Sequence, residues 1–311
     1  MTLRLAAATE DFGAELRSAI QLAAQNPVEG LRLNARTEVR AAEFGDTALR
    51  QLRHYVEEHR MQVAGLYYSS RHSLDAPTSL DERLDGIRRA IMMTRKLGTS
   101  DVLVRLGTIP DPDAAEKSLK EGPTNSDVNS LLNPFSFAPS TAGRALGGSP
   151  SDAQKFQTLC QILNDLTAFG SRHGATLQLL VSGYPVERIQ RLSDQVTSGQ
   201  LGIVFDPAIC VMSGRPPVAT FRDLYTHLKY VRFRDAQKDV DGGGVEVRHG
   251  EGCVEWDEMI PTLLEAGYHG WVTVERTGGD QRSEDVSWAV QAVRKLLPEA
   301  PRDYSGGLRK C

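Results

Sequence analysis

Four short stretches decide how the chain folds: LGIVFDPAIC (201–210), YVRFRDA (230–236), GEGCVEW (250–256) and EAGYHGWVTVER (265–276). Two apolar runs end in acids, Asp206 and Glu275. A third ends in a cluster of opposite charges, Arg232, Arg234 and Asp235. A buried strand that stops at a charged side chain is how a parallel barrel presents groups to a ligand.

The same beat runs backwards through the chain. Short apolar runs predict strands at 3–9, 30–36, 61–69, 101–107 and 175–183, before those at 201–206, 229–235 and 270–276. Amphipathic runs lie between them. One carries Leu49, Leu52 and Val56 at helical spacing behind Asp46 as N-cap; another carries Leu80, Leu84, Ile87 and Ile91. Ser79 and Glu82 have capping-box spacing there, and Gly98 closes the helix. Eight strand–helix units in series predict a (β/α)8 TIM barrel. An open dinucleotide-binding sheet would want G-x-G-x-x-G after the first strand, where AAATEDFG stands. The barrel is expected to fill 1–297 as a single domain. Residues 108–150, rich in Pro, Ser, Gly and Asn after strand four, read as a lid-like insertion, and 298–311 as a tail.

Bulk properties narrow the class. With 311 residues, 40% hydrophobic and 24% charged, the chain can bury a large core. A net charge of −4 gives no ground for binding nucleic acid or an anionic membrane. No apolar run approaches the roughly 20 residues that span a bilayer. Four scattered cysteines, without a C-x-x-C pair, suit a reduced setting, and a cytoplasmic location is expected. A homo-oligomer stays open.

Strand ends supply the candidate chemistry. They hold Asn34 and Arg36, Tyr68 with Arg71 and His72, Arg105, residues 179–182, Asp206, Arg232 to Asp235, and Glu275. No lysine ends a strand, which disfavours a Schiff-base aldolase, and no G-x-S-x-G elbow is present. Arg105, Arg36 and Arg71 are placed to form an anion-binding rim with Arg234. His72 and His249 lie on loops facing the expected mouth and are acid/base candidates. The GEG at 250–252 lacks the context of a phosphate loop and reads as a turn into a helix near Trp256.

The order D-P, x-x-R-D, G-x-G-x-V-x-W and EAGY-G-W-V-T-V-E resembles the xylose isomerase-like sugar-phosphate isomerase/epimerase superfamily of TIM barrels. The resemblance implies one divalent metal (Mn, Mg, Co or Zn) held by a Glu, an Asp, a His and a Glu that end strands five to eight. Asp206 and Glu275 match the second and fourth. The first falls on Leu180 or Val181, the third on Arg232, and a substrate-contacting His falls on Ile209. An arginine stays protonated and cannot ligate a metal. No metal is therefore expected unless Asp206 and Glu275 suffice alone, and Arg232 is expected to pair with one of them. The abasic-site nucleases of this fold need many strand-end histidines, which this chain lacks.

Two functions follow as expectations. One is a sugar or sugar-phosphate isomerase/epimerase acting on a small polyol or sugar without the usual metal. Glu275 is then the base, Asp206 its partner and Arg232 the electrostatic group, with Arg105, Arg234, Arg36, His72 and His249 contacting substrate. The other is a non-catalytic barrel that binds a sugar-like or acidic ligand or a partner protein. Asp206 and Glu275 are open to both readings, since strand-end acids also anchor loops.

Overall fold

The computed structural model describes residues 3–113 and 151–297, apart from positions 14, 71, 73, 75, 182 and 241. Eight parallel strands close a barrel: β1 (Arg4–Ala8), β2 (Gly30–Asn34), β3 (Gln62–Tyr68), β4 (Asp101–Arg105), β5 (Thr176–Leu180), β6 (Leu201–Phe205), β7 (Leu228–Phe233) and β10 (Trp271–Val274). β1 pairs with β10 on one side and β2 on the other, which completes the ring. Between β7 and β10 an antiparallel hairpin, β8 (Asp235–Lys238) with β9 (Gly244–Val247), stands apart from the barrel. The fold is the TIM barrel expected from the repeat.

Helices pack outside it: α1 (Leu16–Ala23), α2 (Asp46–Glu58), α3 (Leu80–Leu97), α4 (Asp152–His173), α5 (Val186–Gln195), α6 (Pro207–Met212), α7 (Pro217–Leu224), α8 (Trp256–Glu265) and α9 (Arg282–Leu296). The apolar stripe of α2, Leu49, Leu52 and Val56, is buried as the spacing predicts. Among the described residues, no helix is long and apolar enough to cross a membrane.

Some local expectations are corrected. Ser79 does not cap α3 with its side chain: its backbone is left-handed (φ 50°), not the extended conformation from which an N-cap side chain reaches the first turn. A capping box does form at Ser151 and Gln154, ahead of α4. Gly45, not Asp46, is the N-cap of α2. Helix α6, directly after Asp206, was not expected; Pro207 at its first position presets the helical φ. Strand seven stops at Phe233, so Asp235 opens the hairpin rather than ending a barrel strand.

Inside the barrel, Ala6, Ala64, Leu103, Val204, Tyr230 and Trp271 form one buried cluster, separate from the larger shell between strands and helices. Side-chain sizes interlock there. A Cβ on Gly30 would lie 2.6 Å from the Trp271 ring, so that strand needs glycine at this point. Tyr230 Oη and Thr273 Oγ1 share a buried hydrogen bond above this cluster. The next inward residues along β7 and towards β10's end are Arg232 and Glu275. The apolar plug thus forms the floor of the candidate site.

Candidate functional site

At the carboxyl ends of the strands the barrel interior changes from apolar to largely ionic. Arg232, Arg234, Asp206 and Glu275 are all buried, joined by Arg32 from the middle of β2. Alternation explains why. Leu31 and Leu33 pack in the outer shell, so Arg32 between them projects inward. Tyr230 lies in the inner cluster, and Arg232 and Arg234 follow it at even spacing on the same face.

The groups make a continuous chain of ion pairs. Arg234 Nη2 lies 2.9 Å from Asp206 Oδ2, and Arg232 Nη1 lies 3.2 Å from the same oxygen. Arg232 then donates to Glu275 Oε2 through Nη2 at 2.6 Å and Nε at 3.0 Å. Arg32 Nη2 reaches that oxygen at 3.3 Å, and its Nε is 3.0 Å from Glu275 Oε1 without hydrogen-bond alignment. Arg32 continues to Glu10 at 3.4 Å and sits 4.8 Å from the Tyr67 ring. Asp206 Oδ1 accepts from Ile209 N at 3.2 Å, capping α6. Both oxygens of Asp206 and Glu275 Oε2 thus accept hydrogen bonds or pair closely with guanidinium groups, while Glu275 Oε1 has only the ion-pair contact to Arg32. The expected pairing of Arg232 with one acid is in fact a bridge between both.

Electrostatics follows the geometry. Burial alone would raise the Glu275 carboxyl, but the Arg232 and Arg32 guanidiniums outweigh it and hold it at about 2. Burial likewise works against the charge on Arg232, yet Glu275 and Asp206 drive its pKa up. Asp11, just past the end of β1, behaves in the opposite way. Burial pushes it up to about 7, only partly offset by the Arg276 N–H it accepts at 3.0 Å, and the Glu275 charge adds to the rise. Its folded value exceeds its unfolded one, so folding takes up a proton between pH 3.8 and about 7. The resulting penalty is absent below that window and complete above it. Asp11→Asn is expected to melt progressively higher than the parent as pH rises from 5 to 8. A melting difference that stays flat over that range would mean Asp11 is ionised throughout.

The other candidates do not all converge. Arg234 enters the cluster. Arg105 ends β4 exposed and makes no ion pair among the described residues. Arg36 turns outward and donates to the Ser69 carbonyl at 2.8 Å. His72 is exposed, its carbonyl accepting from Ser70 Oγ. His249 stacks on Trp256 at 4.3 Å in the loop after β9, and burial holds its pKa down to about 4. Arg36, His72 and His249 are thus not gathered around Asp206 and Glu275. Tyr68 packs outward on Gly86 of α3, while its neighbour Tyr67 faces the ion pairs. Leu180 is half-buried against the inner cluster, and Val181 is buried. Arg71, most of the 108–150 insertion and the 298–311 tail lie outside the described residues.

Arg32, Tyr67, Glu10 and Asp11 are not among the residues named from sequence: Arg32 lies in the middle of β2, and Glu10 and Asp11 sit in the short helical turn just past β1. A signal existed for Arg32: a charge between two leucines in LRLN can only point into the barrel.

A closed parallel barrel with ionisable groups gathered at the carboxyl ends of its strands is the architecture of a TIM-barrel ligand site. The chain belongs to the xylose isomerase-like TIM barrel family, whose model matches residues 20–296. It is 24% identical over 164 residues to an inosose dehydratase of Bacillus velezensis, covering 47% of this chain and 55% of that protein. The chain thus spans about half the length of the curated relatives it matches. Solved structures share the fold, two of them as follows. A xylose isomerase domain protein of Planctomyces limnophilus superposes with a TM-score of 0.73 at 17% identity, covering 95% of this chain and 98% of that one. A xylose isomerase-like TIM barrel protein of Mycobacterium smegmatis, solved in complex with magnesium, gives 0.68 at 14%, covering 95% and 96%.

Proposed function

We propose that this chain is a metal-independent member of its family that binds a small polyhydroxylated, sugar-like ligand at the barrel mouth, with its buried arginines standing where a divalent cation would. One observation carries this. Arg232 occupies the position of the imidazole ligand implied by the family resemblance and pairs with both carboxylates that would remain for a metal. The donor set does not fit a divalent ion. Leu180 and Val181 offer no ligand atom, the Arg232 charge repels a cation, and no group of three or more His, Cys, Asp or Glu side chains gathers among the described residues.

The same pairing bears on catalysis. A carboxylate held at about 2 is a weak base at neutral pH, so this reading gives Glu275 an electrostatic role instead of the proton acceptor expected from sequence. Among the described residues, the mouth offers a ligand Tyr67, Leu180 and the exposed Arg105, over a floor of fixed charge. Inosose, the keto-cyclitol implied by the names of the curated relatives, is the kind of compact polyol such a mouth suits.

A second reading, proton transfer in an isomerase, epimerase or dehydratase reaction, is favoured by Asp11. It is a carboxyl poised at about 7, beside the Glu275 end of the same barrel. One experiment separates the readings: thermal shift against a panel of cyclitols, sugars and sugar acids, with and without Mn²⁺, followed by turnover assays on any binder. A shift of several degrees that needs no Mn²⁺ is expected. A shift that appears only with Mn²⁺ would overturn the metal-independent proposal, and turnover abolished by Asp11→Asn would favour the second reading.

A further inference from the structure

Arg36 was expected on the substrate rim, yet it lines a separate groove outside the barrel, between the end of β2, the end of β3 and helix α3. The groove holds about 290 Å³ and carries three arginines, Arg36, Arg40 and Arg89, around a wall formed by Tyr68. Its floor is made of small residues, Ala35, Ala41 and Gly86 among them. Gly86 is fixed by packing, since a Cβ there would lie 2.1 Å from the Tyr68 hydroxyl.

The charges do not balance. Arg40 is matched by Glu43 at 2.7 Å. Arg36 and Arg89 make no ion pair among the described residues, and the Arg36 guanidinium donates to a backbone carbonyl, that of Ser69, at 2.8 Å. By contrast the arginine next to Arg89 on the same helix, Arg88, is held by both Asp85 and Asp165. Two guanidiniums without an ion pair among the described residues, beside a third and over a shallow floor lined by no acid, make a local field that favours a compact dianion. A planar guanidinium offers paired donors that match the oxygens of a phosphate. Small floor residues let a phosphate approach, and Tyr68 gives its organic part a surface to lie on.

We infer that this groove is a second binding site, distinct from the barrel mouth, that takes a small phosphate monoester through Arg36, Arg40 and Arg89. Inorganic phosphate is the probe. A ³¹P chemical-shift titration of the full chain at fixed ionic strength is expected to saturate. Arg36→Gln and Arg89→Gln should each weaken it by roughly tenfold or more, the worth of one charge-assisted hydrogen bond. Arg89→Glu should abolish it. Arg105→Gln, at the mouth, should leave it unchanged, and acetate, with a single charge, should bind at least tenfold more weakly. All these side chains are exposed, and matching circular dichroism would establish that the variants fold. Absence of saturation, binding that survives Arg89→Glu, acetate that binds as tightly as phosphate, or loss of binding in Arg105→Gln would each overturn the assignment.

Discussion

Replacing Arg232 with methionine is expected to cost about 3–5 kcal/mol of stability at pH 7, because it strips the shared cation from two buried carboxylates. Asp206 keeps Arg234 and Glu275 keeps Arg32, so the loss stops short of unfolding the barrel. The pH dependence gives the signature. Glu275 is held at about 2, below its unfolded 4.5, so its contribution is fully present above 4.5 and is lost as pH falls through about 2. In the variant, burial has less opposition and the folded value rises. The melting temperatures of parent and variant should therefore lie furthest apart above pH 4.5 and converge as the solution is acidified towards pH 2. Equal melting at pH 7 would mean that the bridge contributes nothing. Arg232→His adds a second test. Imidazole beside Asp206 and Glu275 offers a third ligand, so Mn²⁺ should stabilise this variant by several degrees more than the parent.

How much of this was legible from the chain follows from what each side chain must satisfy. Strand positions were legible because a barrel strand buried on both faces reads as an apolar run, and Asp206 and Glu275 stand where such runs stop. The pairing of Arg232 was legible too, since a permanent cation between two acids has few other places to go. Tyr67 against Tyr68 was not. An irregularity in the β2–β3 register, between Leu31 and Arg32, shifts which tyrosine points inward, and nothing in QVAGLYY marks it. The outward turn of Arg36 depends on the Ser69 carbonyl, a contact made across 33 residues of chain. His249 looked like a mouth residue because its loop follows strand seven. The hairpin β8–β9 carries that loop away and lays the imidazole on Trp256.

The largest single effect is expected at Asp235, a residue read from sequence only as part of a charge cluster. Its carboxylate is buried and accepts five hydrogen bonds. Oδ1 takes the N–H groups of Ala236 at 2.9 Å and Val254 at 3.2 Å; Oδ2 takes those of Gly250 at 2.9 Å, Gly252 at 3.2 Å and the Trp256 indole at 3.0 Å. Gly252 can approach only because it lacks a Cβ, which would lie 2.0 Å from Oδ1. The GEG turn is thus an anion cradle closed around the chain's own carboxylate. Asp235→Ala leaves several buried donors unpaired, at about 1–3 kcal/mol for each one that water cannot reach, so a loss above ~4 kcal/mol is expected. Asp235→Asn keeps the shape but turns one oxygen into a donor facing two or three others, and should lose more than half as much. Limited proteolysis should open the variants within 248–255, and Trp256 emission should shift to the red. Wild-type melting and proteolysis in Asp235→Asn would refute the cradle. The consequence reaches the mouth, since Asp235 directly follows Arg234. An anchored Asp235 fixes the backbone from which Arg234 spans Asp206, Thr277 and Glu246. Loosening the cradle should therefore weaken ligand-induced thermal shifts even though Asp235 faces away from the mouth.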